Sequence, residues 1–435
     1  MTNFAVYSVM KSTKALVIGI VSAFLLCGTK AWGQDYPWLA NNNIMVEARA
    51  HYGFFYNYHF EMQRFNKRYW AFEASIYQNT YGKHEWETNF NYPYLGVTFY
   101  QSNLGGFKEL GQVYALYPFI IYPLNPSENS QLTFKLGIGL AYLTEHFEPY
   151  VGNDSIKYYY NFSIGSNLNA AINLSFEYRQ KITSRLTSVF SVGLTHFSNG
   201  CTKLPNYGLN TLSSAWGLAY YLRKPRVNLT PGVRPEYYPF EFDHKKWLSF
   251  DLDYGIGFKN VSQTLGGAAE RYYPVHDISS YFLGQFTRHS RAGFCLSLVL
   301  DCSDQKLSDH YVDQNGDLFY LDKKENYIDT IAINLFQMTK LNLTLCYAMT
   351  MNRVSYYFEV GWHLRYNQIT DLNKGKIFEK LTLRYQLYDN IYAHLSLSTH
   401  LARADHLTFG VGYRFNQKYY LPHEKKTRHL PPGMH

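Results

Sequence analysis

Strict alternation of apolar and polar residues over long stretches constrains this chain more than anything else in it. In "VSYYFEVGWHLRY", residues 354–366, one face reads Val354, Tyr356, Phe358, Val360, Trp362, Leu364 and Tyr366. The other reads Ser355, Tyr357, Glu359, Gly361, His363 and Arg365. "LSFDLDYGIGF" (248–258) and "LTFGVGYRF" (407–415) repeat the pattern, with Asp251, Asp253, Arg414 and glycines on the second face. Successive side chains of a strand point to opposite sides, so each segment is a strand with an apolar face and a face of charge and glycine. A soluble sandwich keeps its polar face in water. Glu, His, Arg and Gly opposite a continuous aromatic face instead suit a strand between lipid and the lumen of a barrel.

The N-terminus agrees with export. Lys11 and Lys14 precede the apolar run "ALVIGIVSAFLL" (15–26), and Ala31 and Gly33 have the small-x-small spacing of a cleavage site. Residues 1–33 therefore read as a signal peptide, with Met10 as an alternative initiator. Leu26 before Cys27 is too bulky for a lipoprotein signal. The 42 tyrosines and an aromatic share of 18% fit the girdles of an outer-membrane barrel. A formal charge of +8 is mild and dispersed, which argues against nucleic acid as a partner. Cys201, Cys295, Cys302 and Cys346 follow the signal without CxxC spacing, so an oxidising compartment would permit a disulfide whose pairing stays open.

Sixteen segments between residues 44 and 415 pass the alternation test. Connections such as "KITS", "HS", "NR" and "DN" are short, while those after the fifth, ninth and eleventh segments are long and polar. That contrast is the one between periplasmic turns and extracellular loops. The expectation is an all-β fold, a transmembrane antiparallel β-barrel of the outer membrane with 14–16 strands over 34–415. The stretch 223–246, rich in Pro and long on the side where turns are short, keeps a second closure open. In it an eight-stranded barrel (44–222) is followed by a second β half (223–415). Phe415 closes the last strand, and 416–435 reads as a periplasmic tail.

One connection carries chemistry. "THFSNGCTKLPNYGLN" (195–210) puts His196 and Ser198 on the outward face of one strand, about 7 Å apart. Asn210 falls on the outward face of the next strand at the same rim. Serine becomes a nucleophile when a positioned base takes its proton and a third group holds the base. Ser198, His196 and Asn210 can fill those roles. The oxyanion hole would come from the backbone N–H groups around Gly200 and Cys201 and from the side chains of Asn199 and Asn206. By itself His-x-Ser is a weak signal, and a polar loop rim is the plain alternative.

"HFSNG" followed by "KLPNYGLN" resembles the outer-membrane lipid A deacylases, or acyloxyacyl hydrolases. The resemblance implies His196 as base, Ser198 as nucleophile, and Asn206 with the Cys201 N–H as oxyanion hole. It implies lipid A in the outer leaflet as substrate, with the active site facing that leaflet. The third member of the family is acidic, whereas this chain has Asn210. Asn fourteen residues after the His is also similar to outer-membrane phospholipase A, a family linked to calcium. Its Arg- and Ser-rich segment is replaced here by "KLPNYGLN". No cofactor is expected under the first reading, and calcium under the second. Lys203 is a candidate contact for a lipid A phosphate, and a homodimer is compatible with either reading. A non-catalytic porin or transporter, with Asp251, Asp253, Glu359 and Arg365 lining a pore, is the rival class. Asp313, Asn315 and Asp317 have calcium-like spacing, but Lys324 stands where the bidentate acid belongs, so a solvated loop is favoured.

Overall fold

The computed structural model describes residues 43–415 except 58–61, 81–85, 88–89, 126, 128, 148–160, 201, 224–247, 261–271, 288, 306–310, 313–317, 322–326, 329–334, 337, 352, 367–375 and 401–402. The signal segment, the tail, Cys201 and the calcium-like positions Asp313, Asn315, Asp317 and Lys324 therefore lie outside the described residues.

The first eight strands are β1 (Ile44–Phe55), β2 (Arg68–Asn79), β3 (Tyr94–Ser102), β4 (Val113–Pro123), β5 (Ser130–Leu143), β6 (Leu168–Lys181), β7 (Leu186–Ser198) and β8 (Leu209–Tyr221). They form a closed antiparallel barrel, with β1 paired to β8 from Met45↔Tyr221 to Phe55↔Thr211. Next come β9 (Leu248–Asn260), β10 (Tyr272–Gln285) and β11 (Ser290–Asp301). Three short strands follow, β12 (Tyr311–Val312), β13 (Leu318–Leu321) and β14 (Tyr327–Ile328), paired into a small sheet of their own. The chain then continues through β15 (Thr339–Met351), β16 (Val354–Arg365), β17 (Ile377–Gln386), β18 (Ile391–His400) and β19 (Arg403–Arg414). β9 pairs with β19, and a second eight-stranded barrel closes.

All sixteen expected segments are strands. They do not close as one large barrel but as two of eight, the second of the closures the sequence left open. This removes the misfit at 223–246, which is the connection between barrels and not a turn within one. Alternation records which face is buried and is silent about which strand is the neighbour.

The faces behave as the pattern requires. Phe190, Val192, Trp216, Leu252, Phe358 and Val411 are exposed on the outer walls, while Val189, Ala215, Asp251 and Tyr357 are buried inside. An eight-stranded barrel is just wide enough for side chains to fill it. In the first lumen Arg49 pairs with Glu177 at 2.7 Å, Arg179 with Glu47 at 2.9 Å and with Glu177 at 2.8 Å, and Lys135 with Glu73. In the second, Arg414 and Arg384 both hold Asp251 at 2.6 Å, Arg384 holds Asp253 at 2.8 Å, and Lys380 holds Asp277 at 2.8 Å. Buried charges persist only when paired and hydrogen-bonded, and these networks plug both lumens among the described residues. Asp251, Asp253 and Glu359 thus pair inside and do not line an open pore, with Glu359 accepting from Tyr281 and Thr344. Arg365 departs from expectation. It donates to the carbonyls of Phe336 and Thr339 and lies over the Phe336 ring at 3.6 Å. Cys295 and Cys346 are buried free thiols.

Candidate active site

The connection between β7 and β8 decides the geometry. His196 and Asn210 are direct cross-strand partners, and so share one face. The Asn210 Oδ1 accepts from His196 Nδ1 at 2.7 Å. That bond fixes the tautomer, because an Nδ1 that donates leaves Nε2 as the ring nitrogen able to take a proton.

Ser198 ends β7 on the same side as His196, but it is not open as a rim residue would be. It is only 6% exposed, with Gly200 and Asn206 of the following turn against its hydroxyl. Two donors converge on its hydroxyl: Asn206 Nδ2 at 2.9 Å and the Gly200 N–H at 3.2 Å. The orientation of the Asn206 amide is determined by its other end, since Oδ1 accepts the Asn199 N–H at 3.1 Å. Two glycines make the fold of this turn possible. Gly200 has φ +64° and Gly208 φ +76°, both in the left-handed region that favours glycine. At Gly208 a Cβ would also meet His196 Cε1 at 2.8 Å, so the absence of a side chain leaves room for the imidazole.

Of the expected site residues, His196, Ser198, Asn210, Asn206 and Gly200 come together. Asn199 belongs to the cluster in a different capacity from the expected oxyanion donor. Its N–H is committed to Asn206, and its Nδ2 donates to Ser166 Oγ at 2.9 Å and to the Lys203 carbonyl at 2.7 Å. It holds Asn206 and the turn in place. Cys201 lies outside the described residues. Lys203 is half-buried in the same turn. Ser166, from the β5–β6 connection, was not foreseen. No local pattern marks it, because its contact with Asn199 spans 33 residues.

A hydroxyl two residues from a histidine of defined tautomer on the same face of β7, with two N–H donors converging on it, has the parts needed for acyl transfer through a serine ester. A family model described as "Lipid A 3-O-deacylase (PagL)" matches residues 51–219, and one described as "Acyloxyacyl hydrolase, C-terminal domain" matches residues 248–417. Together they span well over half of the chain. The chain belongs to the PagL lipid A deacylase family. The two matches coincide with the two barrels, so the family's barrel occurs twice. No curated protein matches. Among solved structures, the outer membrane enzyme PagL aligns at 17% identity and TM-score 0.27, over 39% of this chain and 97% of that one. Neisserial surface protein A aligns at 10% identity and TM-score 0.25, over 41% of this chain and 96% of that one. The N-terminal β-barrel domain of Pseudomonas aeruginosa OprF aligns at 9% and 0.22, over 40% and 97%.

Proposed function

We propose that this protein is an outer-membrane serine esterase that removes an ester-linked acyl chain from lipid A, with its site facing the outer leaflet. The observation that carries the reading is the Ser198 hydroxyl, held by Asn206 and Gly200 beside the His196–Asn210 pair. Family membership supplies the substrate class.

In the reaction so assigned, Ser198 Oγ attacks the ester carbonyl while His196 Nε2 takes the hydroxyl proton. The oxyanion that forms accepts from Asn206 Nδ2 and the Gly200 N–H, with the Cys201 N–H as the further donor the family resemblance assigns. The tetrahedral intermediate collapses, and the sugar oxygen leaves with the proton from His196. Water, deprotonated by the same imidazole, then frees the fatty acid from Ser198. Asn210 orients the ring as a neutral acceptor. It lends the imidazolium less stabilisation than a carboxylate would, so the base works at a lower proton affinity. Lys203, on the same turn, is assigned to an anionic group of the lipid A headgroup. The outward face suits a lipid substrate, because acyl chains can reach the serine from the membrane.

The test is a mass spectrum of lipid products from purified protein and from Ser198→Ala, each incubated with lipopolysaccharide and with phospholipid in detergent micelles. Loss of one acyl chain from lipid A by the wild type alone is the expected result. Lysophospholipid would move the assignment to a phospholipase A. No change in either lipid would sink the esterase reading.

A further inference from the structure

The second barrel has no Ser198 equivalent at the end of its seventh strand. β18 and β19 are the seventh and eighth strands of their barrel, as β7 and β8 are of theirs. In sequence, the run Thr195-His196-Phe197-Ser198 is echoed by Thr399-His400-Leu401-Ala402, which has alanine where the first has serine. The connection has collapsed as well. His196 pairs with Asn210 fourteen residues on, whereas His400 pairs with Arg403 three residues on. No segment remains to play the part of Gly200 and Asn206. β18 alternates without a break, Leu395 and Leu397 outward and His394, Ser396 and Ser398 buried, so His400 falls on the lumen face and not on the outward face that carries His196. His400 accordingly packs at 5.2 Å against His363, which pairs with the buried Asn342.

This disabled hairpin lies against the live one. A Cβ on Gly200, whose N–H holds the Ser198 hydroxyl, would stand 3.3 Å from Leu407 Cβ and 3.9 Å from Leu397 Cδ1. Leu397 and Leu407 are cross-strand partners on the outer wall of the second barrel. Both are half-buried, whereas Leu395, Phe409 and Val411 on the same wall are exposed. A second contact joins the barrels at the opposite rim, again between corresponding strands. Tyr122 at the end of β4 donates to Met351 Sδ at 2.9 Å at the end of β15, within an apolar cluster of Trp86, Ile120 and Met351. The end of β4 thus meets the end of β15, and the turn after β7 meets β18 and β19.

We propose that the second barrel is a non-hydrolytic copy whose Leu397 and Leu407 form one wall of the acyl-chain site beside Ser198 and so determine which chain length is accepted. This rests on the esterase reading above. The wall meets the oxyanion turn at Gly200, two residues from Ser198, where the first carbons of an acyl chain bound to Ser198 pass. The apolar walls of both barrels continue from there toward the membrane.

The experiment uses the full chain in micelles with short-chain and long-chain alkyl fluorophosphonates. Ser198 Oγ forms a bond to phosphorus, fluoride leaves, and His196 takes the hydroxyl proton. Labelling of Ser198 is read by intact-protein mass. Leu407→Trp and Leu397→Trp are expected to slow the long-chain reagent about ten- to a hundredfold relative to the short one, the range that pocket shape supplies. Val411→Trp, on the same wall but away from the turn, leaves the ratio at its wild-type value. Ala402→Ser in a Ser198→Ala background stays unlabelled. An unchanged ratio in both tryptophan variants, with Ser198 still labelled, overturns the wall. Labelling of the Ala402→Ser chain overturns the non-hydrolytic copy. A wild type inert to both reagents would instead overturn the esterase reading, and this proposal with it.

Discussion

His196 and Asn210 face each other across the β7–β8 ladder, and their side chains meet at 2.7 Å. The contact follows from strand register, which places two short side chains of adjacent strands on one face. An amide therefore occupies the position where the deacylase family has an acid.

Replacing that amide tests its role by sign. In Asn210→Asp the new carboxylate stabilises the protonated ring and raises its pKa. The base must be neutral to act, so the acidic limb of kcat/KM should move to higher pH than in the wild type. Asn210→Ala frees the ring, and kcat should fall by about 10²- to 10⁴-fold, the range of general-base catalysis. A pH–rate profile on a chromogenic ester reads both.

Asn206 donates to the Ser198 hydroxyl from a position fixed by Asn199. Asn206→Ala should lower kcat about 10²- to 10³-fold with little change in KM, as removing one oxyanion donor does. Asn199→Ala should lower kcat by a smaller factor, because the donor remains and only its support is lost. A large rise in KM for Asn206→Ala would assign it to substrate binding instead.

Gly208 has φ +76°, and a Cβ there would stand 2.8 Å from His196 Cε1. Gly208→Ala should leave the barrel folded and remove most activity by displacing the imidazole. Circular dichroism and ester hydrolysis on the same sample distinguish this from unfolding. Full activity would show that the ring has freedom the packing does not suggest.

Arg179 bridges Glu47 and Glu177 inside the first barrel, all three side chains at most 2% exposed. Arg179→Ala leaves buried carboxylates short of a partner, at a cost of about 3–5 kcal/mol. Urea unfolding in micelles, followed by tryptophan fluorescence, should show the loss. A variant as stable as the wild type would mean that the remaining Arg49 and Lys135 satisfy the lumen alone.

Much of this molecule was legible in its sequence, for a specific reason. Alternation with period two encodes burial residue by residue, so the sixteen long strands, their faces and the shared face of His196 and Ser198 could all be read locally. The short strands β12–β14 lack room for such a pattern and went unseen. Closure was not local: which strand pairs with β1 depends on contacts such as Met45 with Tyr221, from opposite ends of the first barrel's sequence. The burial of Ser198 was not local either, since the turn over it is held by Ser166 from another loop. The sequence by itself determined the strands, their inside and outside, and the residue types of the site. Only the tertiary structure decided that there are two barrels, that the serine is covered and held by two donors, and that a disabled copy stands beside it. Those outcomes depend on pairings between distant segments, and a face pattern carries no record of its partner.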